Sequence, residues 1–253
     1  MSEEVSKRGP EGAKAVEAQA SPQRQRETRR LHRAEFGYAA GLAAFAVLAV
    51  LAKANAYFAW DLRVATAVQS ISLPGMETLM RVVSLAGNGV TSWAIVVIAV
   101  AVFCAFRRRS EAFGLLLSAA GGSALNSLVK YVVARPRPTL ERVRVSGEWA
   151  RESFPSGHVT FYVCFFGFLF FVAYALLPKD SNVRRVVCAL AALPVLLVGL
   201  SRVYLGAHWP SDTLGAYLFS GLWLAFSLDL YRRWKRRATF HTKEEVKEEV
   251  REP

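Results

Sequence analysis

Three short stretches hold the side chains best suited to chemistry: Lys130 with Arg137-Pro138, Pro155-Ser156-Gly157-His158, and Ser201-Arg202 followed by His208 and Asp212. Together they supply three cations, two imidazoles and a carboxylate. A phosphoryl group in transfer spreads negative charge over its equatorial oxygens, so a catalyst mainly positions it and surrounds it with donors. Lys130, Arg137 and Arg202 suit that task. One imidazole can attack phosphorus while the other protonates the leaving oxygen, and a carboxylate can hold the attacking ring in the tautomer it needs. His208 and Asp212 stand four residues apart, close to one helical turn. Clustered carboxylates and Cys/His ligand spacings are missing from the pattern, so no metal and no cofactor are expected.

Taken singly, each stretch has a plainer explanation. Lys130 can snorkel from a helix end to the membrane surface. Ser156 can act as a helix N-cap worth about 1 kcal/mol, although a helix starting there would also offer backbone N–H groups to an anion. Asp212 can cap a helix as well. Arg135 repeats the Arg-Pro dipeptide, and spacing alone selects Arg137 over it. The ordered set is far more specific than its parts. It resembles the signature of the type 2 phosphatidic acid phosphatases, which share their site with bacterial acid phosphatases and vanadium haloperoxidases: K-x6-R-P, then P-S-G-H, then S-R-x5-H-x3-D. Lys130 through Arg137-Pro138, Pro155 through His158, and Ser201-Arg202 through His208 to Asp212 match every signature position, over roughly residues 123–215.

The resemblance implies specific roles. His208, oriented by Asp212, would attack phosphorus and form a phosphohistidine, with His158 as the proton donor. Lys130, Arg137, Arg202 and the backbone around Ser156 and Gly157 would bind the phosphoryl oxygens. The implied substrate is a lipid phosphate or diphosphate, with undecaprenyl diphosphate first in a bacterial setting. Phosphatidic acid, phosphatidylglycerol phosphate and lipid A phosphate are the alternatives. A phosphotransferase that passes the group to an acceptor alcohol is a second enzyme reading. A transporter that uses outer arginines to attract anions belongs to another class, but it has no need for two histidines and an aspartate.

The elements that must position these residues are membrane helices. A helix crossing the hydrocarbon core needs about 20 mainly apolar residues. Six stretches qualify, near 36–57, 88–106, 112–133, 158–177, 185–201 and 213–231. Backbone polar groups must be paired inside lipid, so the expected fold is an all-α integral membrane bundle of six transmembrane helices. Pro194 predicts a kink in the fifth. The small residues of Ser118-Ala-Ala-Gly-Gly-Ser-Ala124 predict close helix approach in the third. Between the first two spans, the spacing of Val64, Val68 and Ile71, then of Met76, Leu79, Met80 and Val83, predicts two short interfacial helices broken at Pro74-Gly75. A re-entrant pair is the competing reading.

Charge sets the orientation. Basic clusters occur at 24–33, 107–109, 179–185 and 232–237, and six spans place all four on one side, which the positive-inside rule makes cytoplasmic. The phosphatase membrane domain is then 36–231, with cytoplasmic charged tails at 1–35, expected to be disordered, and 232–253. Expected partners are the lipid substrate and membrane lipids. The formal charge of +12 invites a nucleic-acid reading, but the basic residues flank apolar spans and no nucleic-acid motif appears. Three cysteines, Cys104, Cys164 and Cys188, all lie in apolar runs and read as small hydrophobes. The outer loops would be 58–87, 134–157 and 202–212. The second of these breaks the charge rule with Arg135, Arg137, Arg142, Arg144 and Arg151, and an anionic ligand is the simplest reason to keep them there.

Overall fold

The computed structural model describes residues 10–147, 149 and 152–249, with side chains placed between 32 and 237. Among the described residues the fold is all-α. The helices are α1 (Pro10–Ala54), α2 (Ala59–Gln69), α3 (Met76–Ser84), α4 (Gly89–Ala105), α5 (Arg109–Leu116), α6 (Gly122–Val133), α7 (Gly157–Leu176), α8 (Asn182–Tyr204) and α9 (Pro210–Glu249). An antiparallel bridge joins Pro136 and Glu152. The chain divides into two compact units, Met1–Ala44 and Phe45–Pro253, and everything around the site belongs to the second. Helix extends from Pro10 and to Glu249, into both stretches read as tails, while residues 1–9 and 250–253 lie outside the described ones.

Among the described residues, five helices are long and apolar enough to cross a membrane, at His32–Ala54, Arg109–Val133, Gly157–Leu176, Asn182–Tyr204 and Pro210–Arg237. A sixth span arises if Met76–Gly87 and Gly89–Ala105, bent by 56° at Asn88, count as one. The two short helices expected near 61–86 are α2 and α3, separated by the turn at Pro74-Gly75. Helix α3 packs on α8, and α2 packs on α8 and α9. Leu190, Leu193 and Leu196 of α8 and Val97 and Ile98 of α4 are exposed. Apolar surface of that kind calls for lipid around the bundle.

Helix α7 is the central post, packing most extensively on α8 and α9. It lacks charged side chains, is apolar nearly all round, and buries Val159, Tyr162, Phe165 and Phe168 among its neighbours, while Tyr174 and Leu176 towards its C-terminal end are exposed. The small-residue run forms a π turn, Leu117–Gly121, between α5 and α6. A Cβ on Gly121 would lie 2.7 Å from Trp223, and one on Gly122 would lie 2.7 Å from the Cys164 sulfur, so the close approach expected there is met. The carbonyls of Leu117 and Ser118 accept hydrogen bonds from Trp223 Nε1 at 3.3 and 3.1 Å. Polar backbone left unpaired at this depth would be costly. At the opposite end from Lys130, His158 and Arg202, buried Glu111 of α5 accepts from Lys235 Nζ at 2.6 Å and from the Tyr231 hydroxyl at 3.2 Å, tying α5 to α9. Asp229 pairs with Arg233 at 2.7 Å.

The turn between α8 and α9 depends on Gly206. Its φ of +66° is left-handed, and a Cβ there would sit 2.0 Å from the Arg144 carbonyl oxygen. The chain reverses there, and the N–H groups of Ala207 and His208 donate to the Arg202 carbonyl at 3.0 and 3.3 Å. Gly206→Ala is therefore expected to lower the melting temperature in detergent markedly, since the left-handed conformation alone costs about 1–2 kcal/mol without glycine. Gly221→Ala, whose Cβ meets open space in a helix, should leave it unchanged or slightly raised.

Candidate active site

The eight residues singled out by spacing come from four helix ends and two loops. Lys130 lies in the last turn of α6, Ser156 and Gly157 begin α7 with His158 next, Arg202 lies in the last turn of α8, and Asp212 lies in the first turn of α9. Antiparallel packing brings these ends together. Arg137 and His208 come from the connecting loops.

His208 is 2% exposed, and its two ring nitrogens face different partners. Nδ1 lies 3.6 Å from Asp212 Oδ2 and 3.4 Å from the Ser153 hydroxyl. Nε2 lies 3.2 Å from Arg137 Nη1. Since a guanidinium can only donate, Nε2 presents its lone pair to Arg137 and the proton sits on Nδ1, facing the carboxylate. That tautomer leaves the lone pair of the ring on Nε2. Asp212 Oδ2 also accepts from the Ser153 hydroxyl at 2.5 Å and from the Trp209 N–H at 2.9 Å. The Trp209 bond is a capping contact, so Asp212 caps α9 and faces His208 with the same carboxylate.

The cations surround this pair. Arg137 also donates to the Ala207 carbonyl at 2.6 Å. Lys130 Nζ donates to the carbonyls of Glu152 and Ser153 at 2.8 and 3.3 Å. Arg202 is 1% exposed, donates from Nη1 to Ser84 at 3.1 Å, and lies 4.4 Å from the centre of the Trp149 ring. Its Nε is buried without a partner among the described residues, as is the Ser156 hydroxyl. Ser156 sits at the N-cap position but its hydroxyl makes no capping bond, contrary to the plain reading of that serine. Its backbone N–H instead donates to the Asp212 carbonyl at 3.2 Å. His158 Nε2 lies 3.1 Å from Asn88 Oδ1. The break before α4 brings the chain against this ring, and only glycine fits at 87, because a Cβ there would lie 2.5 Å from His158.

Three other arginines of the 134–157 loop, Arg135, Arg142 and Arg144, have structural partners. Arg142 donates to the Tyr57 hydroxyl at 2.5 Å and stacks on its ring. Arg144 stacks on Tyr204 and donates to the Gln69 carbonyl at 3.1 Å, while Gln69 bonds both backbone groups of Arg144. Arg135 is buried against Asp61, Ser211 and Asp212. The expectation that an anionic ligand retains this whole cluster is thus corrected for Arg135, Arg142 and Arg144, which fasten the loop to its neighbours. Arg151 lies outside the described residues. Lys53 donates to the Val132 carbonyl at 2.9 Å.

A cavity of about 230 Å³ opens beside His158. Its lining brings Lys130 and His158, with Ser123 and Asn126, together with the apolar Trp93, Val96 and Phe161. Spacing had not revealed Ser84, Asn88, Ser153 or Asp61. Ser153 lies two residues before Pro155, yet nothing in its local sequence marks it.

Burial pushes the His208 imidazole well below its usual range, and the charges of Arg137, Lys130 and Arg202 push it the same way. Burial also lowers Arg137, opposed by the charges of Asp212 and Glu152. An arginine starts so high that it remains a cation.

The sequence pattern of the PAP2 superfamily matches residues 111–236. Phosphatidylglycerophosphatase B of Bacillus subtilis is 29% identical over 182 residues, 72% of this chain and 88% of that protein. Decaprenylphosphoryl-5-phosphoribose phosphatase of Mycobacterium tuberculosis is 31% identical over 161 residues, 60% of this chain and 80% of that protein. The crystal structure of a transmembrane PAP2-type phosphatidylglycerolphosphate phosphatase from Bacillus subtilis superposes with a TM-score of 0.67 at 25% identity, covering 78% of this chain and 96% of the other.

Two outcomes are expected from this geometry. Ser153→Ala removes a hydrogen bond to a charged group, about 1.5–3 kcal/mol, so kcat should fall about 10- to 100-fold, with KM little changed, in steady-state phosphate release. Unfolded His208 takes up a proton near about pH 6.5 and the folded ring resists it, so below that pH the unfolded state binds more protons and stability falls. The melting temperature should drop between about pH 7 and 5, and drop less in His208→Gln.

Proposed function

The chain belongs to the PAP2 superfamily and is an integral membrane lipid phosphatase, and from that premise we propose that it cleaves a terminal phosphate from a lipid at the outer face of a bacterial cytoplasmic membrane, through a phosphohistidine and without a metal. The carrying observation is the cavity, in which Lys130 and His158 meet an apolar wall of Trp93, Val96 and Phe161. A substrate with a charged head and an apolar tail suits such a slot. Loop charge supports the orientation, since 107–109 and 232–237 lie at the end away from the site and favour the cytoplasm. Both termini are then cytoplasmic.

In the first step His208 Nε2 attacks phosphorus and the bond to the lipid oxygen breaks. Protonated His158 gives its proton to that oxygen. Asp212 holds the Nδ1 proton while the ring gains positive charge, and Lys130, Arg137, Arg202 and the N–H groups at Ser156 and Gly157 receive the phosphoryl oxygens. Water then attacks the phosphohistidine, the P–N bond breaks, and His158 takes the proton from water. Inorganic phosphate leaves and both rings return to their starting forms.

A phosphate monoester fits the site better than a longer charged head, because Arg142 and Arg144 are engaged with Tyr57, Tyr204 and Gln69. Undecaprenyl diphosphate, first on sequence grounds, also ends in a phosphate and belongs in the same test. The purified chain, assayed with chelator present, should release phosphate from at least one of undecaprenyl diphosphate, phosphatidylglycerol phosphate, phosphatidic acid and lipid A phosphate. His208→Ala should release none, and acid-labile phosphate should be trapped on the wild-type protein alone. Silence from folded wild-type protein across the panel would sink the proposal, and a phosphorylated acceptor alcohol in place of free phosphate would make it a transferase.

A further inference from the structure

Behind His208, on the side away from Arg137, lies a second set of charges. Asp61 of α2, Arg135 of the long loop and Asp212 of α9 are each at most 1% exposed. Arg135 Nη1 lies 2.6 Å from Asp212 Oδ1 and 2.7 Å from the Ser211 hydroxyl, and Nη2 lies 3.0 Å from Asp61 Oδ2. Nε donates to the Asn55 carbonyl at 3.1 Å, and the Phe58 ring packs on the guanidinium at 4.9 Å. Asp61 is saturated too: it accepts from the Ser211 N–H at 2.8 Å, the Ser211 hydroxyl at 2.7 Å and the Phe58 N–H at 3.0 Å.

We propose that Asp61 and Arg135 are positioning residues for the phosphatase reaction, forming a buried chain of alternating charge that keeps Asp212 ionised and aimed at His208. This rests on the reading of His208 as nucleophile. The two oxygens of Asp212 divide the work. Oδ1 meets Arg135, and Oδ2 is left for Ser153, Trp209 and the His208 ring. A carboxylate in a dry site takes up a proton readily unless a cation stands beside it. A cation belonging to Asp212 alone would cancel the charge that the imidazolium needs. Asp61 shares Arg135, so two carboxylates and one guanidinium leave a net negative charge behind the ring. Other charges facing Asp212 are His208 itself and, from the phosphate side, Lys130 and Arg137. Hence the two arginines of Arg135-Pro-Arg137 act on opposite sides of one histidine: Arg137 reaches Nε2, and Arg135 backs the carboxylate at Nδ1.

The test is the pH dependence of kcat for Asp61→Asn, Arg135→Gln and Arg135→Lys in the full chain, with phosphate release from the lipid panel and from p-nitrophenyl phosphate. Asp61→Asn keeps the shape and removes the charge, and kcat should fall about 10- to 100-fold with KM unchanged, the scale seen when partners that orient a functional ligand are lost. Arg135→Gln should move the acid limb of the profile to higher pH by about one unit or more, and Arg135→Lys should bring the limb back toward its wild-type position even if kcat stays low. Should Arg135→Gln fail to fold, the Lys and Asn variants carry the comparison. Variants that keep wild-type kcat and acid limb overturn the proposal. So do losses that only track the folded fraction in a melting curve, with the limb unmoved. Wild-type protein that cleaves p-nitrophenyl phosphate but no lipid refutes the lipid reading and leaves this test standing. Wild-type protein inactive on both refutes the nucleophile reading and this proposal with it.

Discussion

The carboxylate of Asp212 fixes the arrangement of the site, because it is buried and charged where neither lipid nor water can settle it. Its side chain and backbone bind Arg135, Ser153, Trp209 and the N–H of Ser156, which belong to the loop after α6, the approach to α7 and the turn before α9. A buried ion pair adds little net stability compared with an apolar replacement, but removing one partner costs about 3–5 kcal/mol. The pairing therefore discriminates between arrangements more than it strengthens the bundle. Any packing of α9 against α7 that moved Asp212 by one turn would strand several charges at once.

The parts of this molecule legible in the sequence are those governed by a short-range rule. Span positions follow from the demand that backbone in lipid be paired, and the expected stretches agree with the observed helices to within a few residues near Gly89–Ala105, Gly157–Leu176 and Asn182–Tyr204. The four-residue step from His208 to Asp212 was visible because it closes over one turn. Asp61 was not, since its partners lie 74 and 150 positions away and only tertiary packing brings them together. The arginine-rich loop misled for a related reason. Charge counting registers how many cations a segment holds, and cannot register that Tyr57, Tyr204 and Gln69 wait for them on other elements.

Helix α8 shows how a local rule can be absorbed by a neighbour. Pro194 lies within a helix that runs as one element from Asn182 to Tyr204. Further on, the Tyr217 hydroxyl of α9 donates to the Val195 carbonyl at 2.6 Å and accepts from the Gly199 N–H at 3.1 Å, standing between groups that would bond to each other in a regular helix. Insertion of a side chain into the ladder is a recognised cause of bending. It lies just ahead of Ser201-Arg202, so the aim of Arg202 is set jointly by α8 and α9.

The buried Nε of Arg202 and the hydroxyl of Ser156, each without a protein partner among the described residues, have a thermodynamic consequence. Polar groups in that condition raise the free energy of the folded state by about 1–3 kcal/mol each. An oxyanion that meets them relieves part of that cost and, by mass action, stabilises the fold by about 2.7 kcal/mol when present at a hundred times its dissociation constant. The resistance of the protein to unfolding then becomes a gauge of occupancy. Such a chain would be hardiest while turning over and most vulnerable to proteolysis when its substrate runs out, so supply of the lipid would govern how long each copy survives.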